Sequence, residues 1–322
     1  VVESDLVRFM DGEGLIDAQL KIEVLKEEPG DGSAVPHRIL VRVEEGRRHL
    51  VDHWRFSGNV LTDNRVIRQE MEVKPGEPLS RFGMLQSQRN LYRTGLFDQV
   101  TIRHEPLPGP VDGPLRVRLL VEMEERDNLQ LTGGVGYDTE EKVRGYLQFN
   151  NHNFLGARRI IGLQLRGSAT RQRLQFTGTE TRFLNRSNME ATVVAFAAQE
   201  EEESYDISRL SASFQVDWEL SPHWRFLYGY NFEANRLDEV RVLEDVIEDR
   251  EETYRISRLR LSPIYDARDD IFNPTRGLFM SGELETALKP LGSQVEFLRS
   301  LFSGSYHQPL FGRTVWISTV RL

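Results

Sequence analysis

From residue 128 to its end, the chain repeats one pattern. Stretches of about ten residues alternate apolar side chains with polar or small ones, and turns separate them. Leu210, Ala212, Phe214, Val216 and Trp218 interleave with Ser211, Ser213, Gln215 and Asp217. Trp224, Phe226, Tyr228, Tyr230 and Phe232 interleave with Arg225, Leu227, Gly229, Asn231 and Glu233. A period of two sends the two kinds of side chain to opposite faces of a strand. Eleven such stretches can be marked, over 128–138, 142–151, 158–168, 171–182, 188–198, 206–218, 223–235, 253–265, 276–287, 293–306 and 312–322, the last three less cleanly patterned. One face suits lipid and the other a wet lumen, as in a transmembrane β-barrel. Lipid cannot satisfy an exposed backbone group, so strands cross a membrane only in closed barrels.

Hydropathy alone gives a different impression. Mean hydropathy is -0.47, and no run approaches the roughly 18 apolar residues of a membrane helix. A barrel strand escapes that test because only alternate residues need be apolar. The net charge of -9 argues against a nucleic-acid binder held by phosphate contacts. The chain has no cysteine, which excludes a disulfide scaffold and a thiolate metal site. It begins at Val1 without methionine or a signal peptide and stops at Leu322 inside a strand pattern, so a fragment open at both ends is expected.

The first 126 residues are built differently and contain a repeat. Leu6–Glu27 and Leu85–His104 each run from a helical pattern through a glycine (Gly14, Gly95) into a strand. Each is followed by a turn containing Asp-Gly (Asp31-Gly32, Asp112-Gly113) and then a second strand, His37–Val43 or Leu115–Glu122. Asp-Gly between two β-runs signals a hairpin. The second copy also has a strand Val51–Phe56, a helix from about Asn64 to Met71 capped by Thr62 or Asp63, and a helix over about Arg81–Thr94. Phe82, Leu85 and Tyr92 share one face of that last helix. The expected order is β-α-α-β-β, with the first copy lacking its opening strand and first helix.

Phe56-Ser57-Gly58-Asn59, followed by Tyr92-Arg93-Thr94-Gly95-Leu96-Phe97-Asp98-Gln99-Val100, resembles a POTRA domain; a generic small α+β domain is the alternative. Gly58 has a physical role in a strand-to-helix turn, and Gly95 in a left-handed helix terminus. Gly133-Gly134-Val135-Gly136-Tyr137 and Asn153-Phe154-Leu155-Gly156 resemble the opening barrel strands of the BamA/TamA-type assembly factors of the outer membrane. Tyr265-Asp266-Ala267-Arg268-Asp269-Asp270, with Phe272-Asn273-Pro274-Thr275-Arg276-Gly277, resembles their mid-barrel periplasmic turn. The fold class expected is therefore α+β POTRA modules followed by an incomplete antiparallel transmembrane barrel, about 11 of 16 strands. The expected domains are the C-terminal part of a POTRA domain at 1–46, a complete one at 47–126, and the N-terminal portion of the barrel at 127–322.

Little in the sequence suggests covalent chemistry. Gly133-Gly134-Val135-Gly136 continues as a strand, whereas a dinucleotide loop needs a helix at once. His49 and His53 sit at a strand start and read as surface histidines rather than a metal pair. Glu200–Glu203 and the acidic stretch Leu237–Glu252 read as solvated outer loops rather than a cation site. Long outer loops and short periplasmic turns are expected. No enzyme, cofactor or metal is expected.

The resemblance implies insertion and folding of other outer-membrane proteins. Its implied partners are unfolded barrel clients and outer-membrane lipid. Periplasmic lipoproteins or chaperones are implied by resemblance alone, and nucleic acid is not. Two strand edges are candidates for pairing with a client. One is Gln99, Val100, Thr101 and Ile102 in the POTRA-like module. The other is the first barrel strand, Leu129, Leu131, Gly133, Gly134, Val135, Gly136 and Tyr137, whose glycines either weaken a seam or accommodate curvature. A two-partner-secretion pore exporting a dedicated substrate is the competing reading, and a simple porin a third.

Overall fold

The computed structural model describes residues 2–26, 37–110, 113–202, 205–238 and 253–322. It divides into two units, one of residues 1–127 with 155–157, the other of 128–154 with 158–322.

The first unit opens with α1 (Val2–Gly12) and the antiparallel pair β1 (Gln19–Lys26) and β2 (His37–Glu44). A three-stranded sheet follows, made of β3 (His49–Ser57), β4 (Phe97–Pro106) and β5 (Leu115–Glu125) in the order β3-β5-β4. Between β3 and β4 lie α2 (Asn64–Glu70) and α3 (Arg81–Arg93), so the order is β-α-α-β-β, as the sequence predicts. The β3–β5 pair is parallel and the β4–β5 pair antiparallel.

Asp63 starts α2 by accepting the Arg65 amide, and Ser80 starts α3 by accepting that of Gly83. Val51, Val117, Leu119 and Val121 of the sheet pack with Ile67, Leu79, Leu91 and Phe97 into one buried aliphatic core. Each such side chain contributes roughly 1.5–3 kcal/mol when fully buried.

Gly58 adopts φ 88°, and a Cβ there would lie 1.8 Å from the Met123 carbonyl oxygen, so no other residue fits the turn. Gly95 ends α3 at φ 72°, the left-handed position expected for it.

The segment before β1 contributes to this module. Ile16 belongs to the same core. The Asp11 carboxylate accepts from the Ser80 hydroxyl at 2.5 Å and from the Arg81 and Phe82 amides at 2.8 and 3.1 Å, capping α3 from a distance in sequence.

Phe82, Leu85 and Tyr92 share a face of α3, as their spacing predicts; it is the exposed one, and the helix buries Gly83, Ser87 and Leu91. Small residues let α3 approach closely: a Cβ on Gly83 would lie 2.5 Å from Val73. His49 is buried, not a surface residue, with Nε2 3.4 Å from the Asp17 carboxylate; His53 is exposed as expected. The Asp31-Gly32 turn and Asp112 lie outside the described residues.

The second unit is one antiparallel meander of eleven strands. They are β6 (Leu129–Asp138), β7 (Lys142–Phe154), β8 (Arg159–Gly167), β9 (Arg171–Glu180), β10 (Met189–Glu201), β11 (Asp206–Glu219), β12 (Trp224–Asp238), β13 (Thr253–Asp266), β14 (Gly277–Ala287), β15 (Phe297–Pro309) and β16 (Val315–Arg321). Every strand marked from alternation is present. The sheet is open: each strand pairs with its sequence neighbours, and β6 and β16 are its edges.

Register aligns like with like. Leu147, Leu165, Leu174, Ala197, Leu210 and Ala234 follow one another across neighbouring strands on one face. Its large side chains are exposed, as a lipid-facing surface requires. The other face carries polar side chains bonded strand to strand.

The acidic run is only partly loop, because Glu200 and Glu201 extend β10 and Glu200 pairs with Arg209 at 3.2 Å. Glu203 and residues 239–252 fall outside the described residues. Loop length does not separate the two ends of the sheet as expected. The connections 139–141 and 168–170, on the side predicted to face outward, are short, and 267–276 on the opposite side is long.

Candidate functional site

The anticipated residues lie on edge strand β4, on edge strand β6 and in the turn 267–276. The Leu107 amide donates to the Arg116 carbonyl, which fixes the odd-numbered residues of β4 as those facing β5. Even-numbered residues turn their backbone groups outward. Gln99, Val100, Thr101 and Ile102 do lie on this edge, but its outward groups are not equally accessible. The Val100 amide donates to the Tyr92 hydroxyl oxygen at 3.0 Å. The Val100 carbonyl accepts from Gln88 Nε2 at 2.7 Å and from the Tyr92 hydroxyl at 3.5 Å. Both side chains come from α3. Gln88 was not anticipated, because a polar residue four before Tyr92 carries no pattern of its own.

The opposite edge is also partly covered. The Val51 amide donates to the Glu77 carbonyl at 3.0 Å, that of Gly76 to Val51 at 2.7 Å, and that of Leu79 to His49 at 2.9 Å.

The other POTRA-motif residues are structural. Phe56 packs against the core with its ring centroid 6.0 Å from that of Trp54, and Leu96 and Phe97 are buried. Asn59 Nδ2 donates to the Thr62 carbonyl at 3.0 Å and to Asn64 Oδ1 at 2.8 Å. The same loop is pinned by Glu125, whose carboxylate accepts the amides of Val60, Leu61 and Thr62 at 3.1, 2.9 and 2.6 Å. Partial burial opposes ionisation of Glu125, but these donors outweigh it and hold its pKa below the ordinary carboxylate value.

In the large sheet, Leu129, Leu131, Val135 and Tyr137 are exposed along the apolar face of β6. Gly134 stands opposite Tyr146, and a Cβ on it would lie 2.7 Å from the tyrosine ring. The glycine thus accommodates a cross-strand aromatic, a packing role the sequence did not reveal.

Side-chain links run through the middle of the sheet and stop, among the described residues, at both edge pairs, β6–β7 along Leu129–Tyr137 and β15–β16. Each pair from β7–β8 to β14–β15 has a side-chain link: Gln164–Gln148, Arg159–Glu180, Thr179–Thr192, Arg209–Glu200, Asn231–Ser211, Arg258–Glu233, Arg260–Glu285 and Arg299–Glu283, at 2.6 to 3.4 Å. Among the described residues, no side chain of Leu129–Tyr137 makes such a link. β6 is joined to β7 by its backbone ladder and by Arg144–Asp138 at 3.1 Å, at the end of the strand.

The turn is held by carboxylates. Asp269 accepts the Thr275 and Arg276 amides at 2.9 and 3.0 Å and the Thr275 hydroxyl. The Thr275 hydroxyl and these amides hold the Asp269 pKa well below the usual range. Arg268 bonds Asp266 at 2.9 and 2.7 Å and lies 4.7 Å above the Phe279 ring. Pro274 lies within the turn and Gly277 opens β14. At the tip Phe272 is 97% exposed. Among the described residues there is no cluster that could hold a metal ion.

A family model described as the Omp85 superfamily domain matches residues 153–322. The chain belongs to the Omp85 superfamily. A POTRA family model, described as a surface antigen variable number repeat, matches residues 50–126. An outer membrane protein assembly factor BamA of Neorickettsia risticii (strain Illinois) is 21% identical over 279 residues, covering 85% of this chain and 37% of that protein. A putative outer membrane protein assembly factor of Treponema pallidum (strain Nichols) is 28% identical over 162 residues, covering 49% of this chain and 19% of that protein. This chain thus spans well under half of either relative.

The crystal structure of Haemophilus ducreyi BamA lacking POTRA domains 1–3 superposes with a TM-score of 0.73 at 18% identity, covering 99% of this chain and 62% of that one. The fold is a POTRA domain followed by a BamA-like partial barrel. This Omp85 protein is of the BamA/TamA type and resides in the bacterial outer membrane, with its POTRA domain in the periplasm.

Proposed function

We propose that this chain acts within an assembly factor that folds β-barrel proteins and inserts them into the outer membrane, pairing client strands with the edges of β4 and β6. The observation that carries the reading is the bare edge of β6. Eight consecutive strand pairs have side-chain links, while Leu129–Tyr137 relies on backbone bonds. A strand held this way can exchange partners without breaking a side-chain network. In a bilayer its free amides and carbonyls strongly favour a new strand, because nothing else there can satisfy them. The names of the two relatives point to the same activity. The task is one of hydrogen-bond exchange and needs no covalent catalysis.

The test places single cysteines along Leu129–Tyr137 of the active full-length protein and one in a client strand. Disulfides to the client during insertion are expected at these positions. Their absence in a protein that still inserts clients would remove β6 from the mechanism.

A further inference from the structure

We infer that β4 offers an added strand only a short window of its edge, around Ile102 and His104, and that Tyr92 and Gln88 set where this window begins. The inference rests on the strand-addition reading above and narrows it.

Odd-numbered residues of β4 bond to β5, so an incoming strand meets the even-numbered ones. Val100 is even-numbered, and both of its outward groups are already used by Tyr92 and Gln88. Pro106 is also even-numbered and has no amide to give. Ile102 and His104 lie between them. Among the described residues, no hydrogen bond meets their outward backbone groups. They are the two positions in the window that offer both a donor and an acceptor. A client strand therefore gains about four backbone bonds to them, two per outward-facing residue.

This bracketing also fixes register. Sliding the client towards Gln99 forfeits bonds at the capped Val100, and sliding it past Glu105 meets proline. A slip of one residue would reverse which client side chains face α3. Tyr92 and Gln88 are positioning residues here: they act by occupying the edge.

The test uses the full chain in lipid, a photoreactive side chain at Gln99 or Arg103 (both exposed), and a synthetic peptide copying Leu210–Trp218 of this chain. Crosslinking at position 103 should exceed that at 99 by about tenfold. In Tyr92→Phe combined with Gln88→Ala, the yield at 99 should rise towards that at 103. In parallel, exchange of the Val100 amide should speed up about fivefold in Tyr92→Phe alone, as expected when a hydrogen bond of ordinary net strength is lost. Equal yields at 99 and 103 in the parent, or Val100 exchange unchanged in Tyr92→Phe, would overturn the window while leaving strand addition intact. No crosslink at either position in any version would overturn strand addition at β4 itself.

Discussion

Leu119 and Leu163 both sit mid-strand, yet one is inaccessible and the other 42% exposed. The POTRA sheet turns its leucines and valines inward against α2 and α3, whereas the large sheet turns them out. The difference lies in the solvent each was built for. In water, apolar area must be hidden and an edge is a liability to be covered. In lipid, apolar area belongs outside, and polar side chains must satisfy one another across the strands. One chain therefore writes the same residue types with opposite orientation.

Substitutions can break this contrast. The largest effect is expected in the POTRA core, where Leu91→Ala should cost about 2–5 kcal/mol because the cavity cannot refill. Denaturant unfolding followed by amide exchange in β4 and β5 measures it. Leu163→Arg, on the apolar face of β8, should cost about 2–4 kcal/mol when folding into vesicles is measured. Gln164→Arg, one residue along on the polar face, should cost under about 1 kcal/mol, because a wet polar face already solvates polar side chains. Equal costs at 163 and 164 would refute the assignment of faces.

Glu125→Gln should cost about 1.5–3 kcal/mol, the strength of hydrogen bonds to a charged acceptor, and free the amides of residues 60–62 to exchange. Its pH dependence has a definite sign. The folded pKa lies below the unfolded one, so the contribution is complete above the ordinary value of 4.5 and is lost as pH falls through the folded value. The smallest effect should come from Asp269→Ala, confined to faster exchange at Thr275 and Arg276. In the parent that turn should remain protected at pH 4, because Asp269 is still ionised there.

How much of this could be read from the sequence follows from the same contrast. The eleven strands were legible because lipid and lumen impose a strict period of two, visible one segment at a time. The β-α-α-β-β order was legible because glycines and caps mark its boundaries locally. The apolar stripe of α3 was legible, but not which face packs inward: that helix buries glycine and serine while displaying Phe82 and Tyr92. Hydrophobicity identified a stripe, but close packing against Val73 decided which side went inward. His49 misled for a related reason: Asp17 and His104, which lie against it, are invisible in a local window. The carboxylate pins by Glu125 and Asp11 join residues more than sixty positions apart and leave no periodic trace. The caps on Val100 belong with them. The edge itself was predicted, but whether it was vacant depended on where α3 sends two side chains.

Asp11 and Ile16 have a consequence for how tandem modules behave. The unit that repeats in the sequence is not the unit that is finished in space: residues 47–126 acquire a helix cap and a core side chain from the stretch before them. An excised 47–126 would keep only the Ser80 cap on α3, leave the Arg81 and Phe82 amides without Asp11, and carry a dent where Ile16 sat.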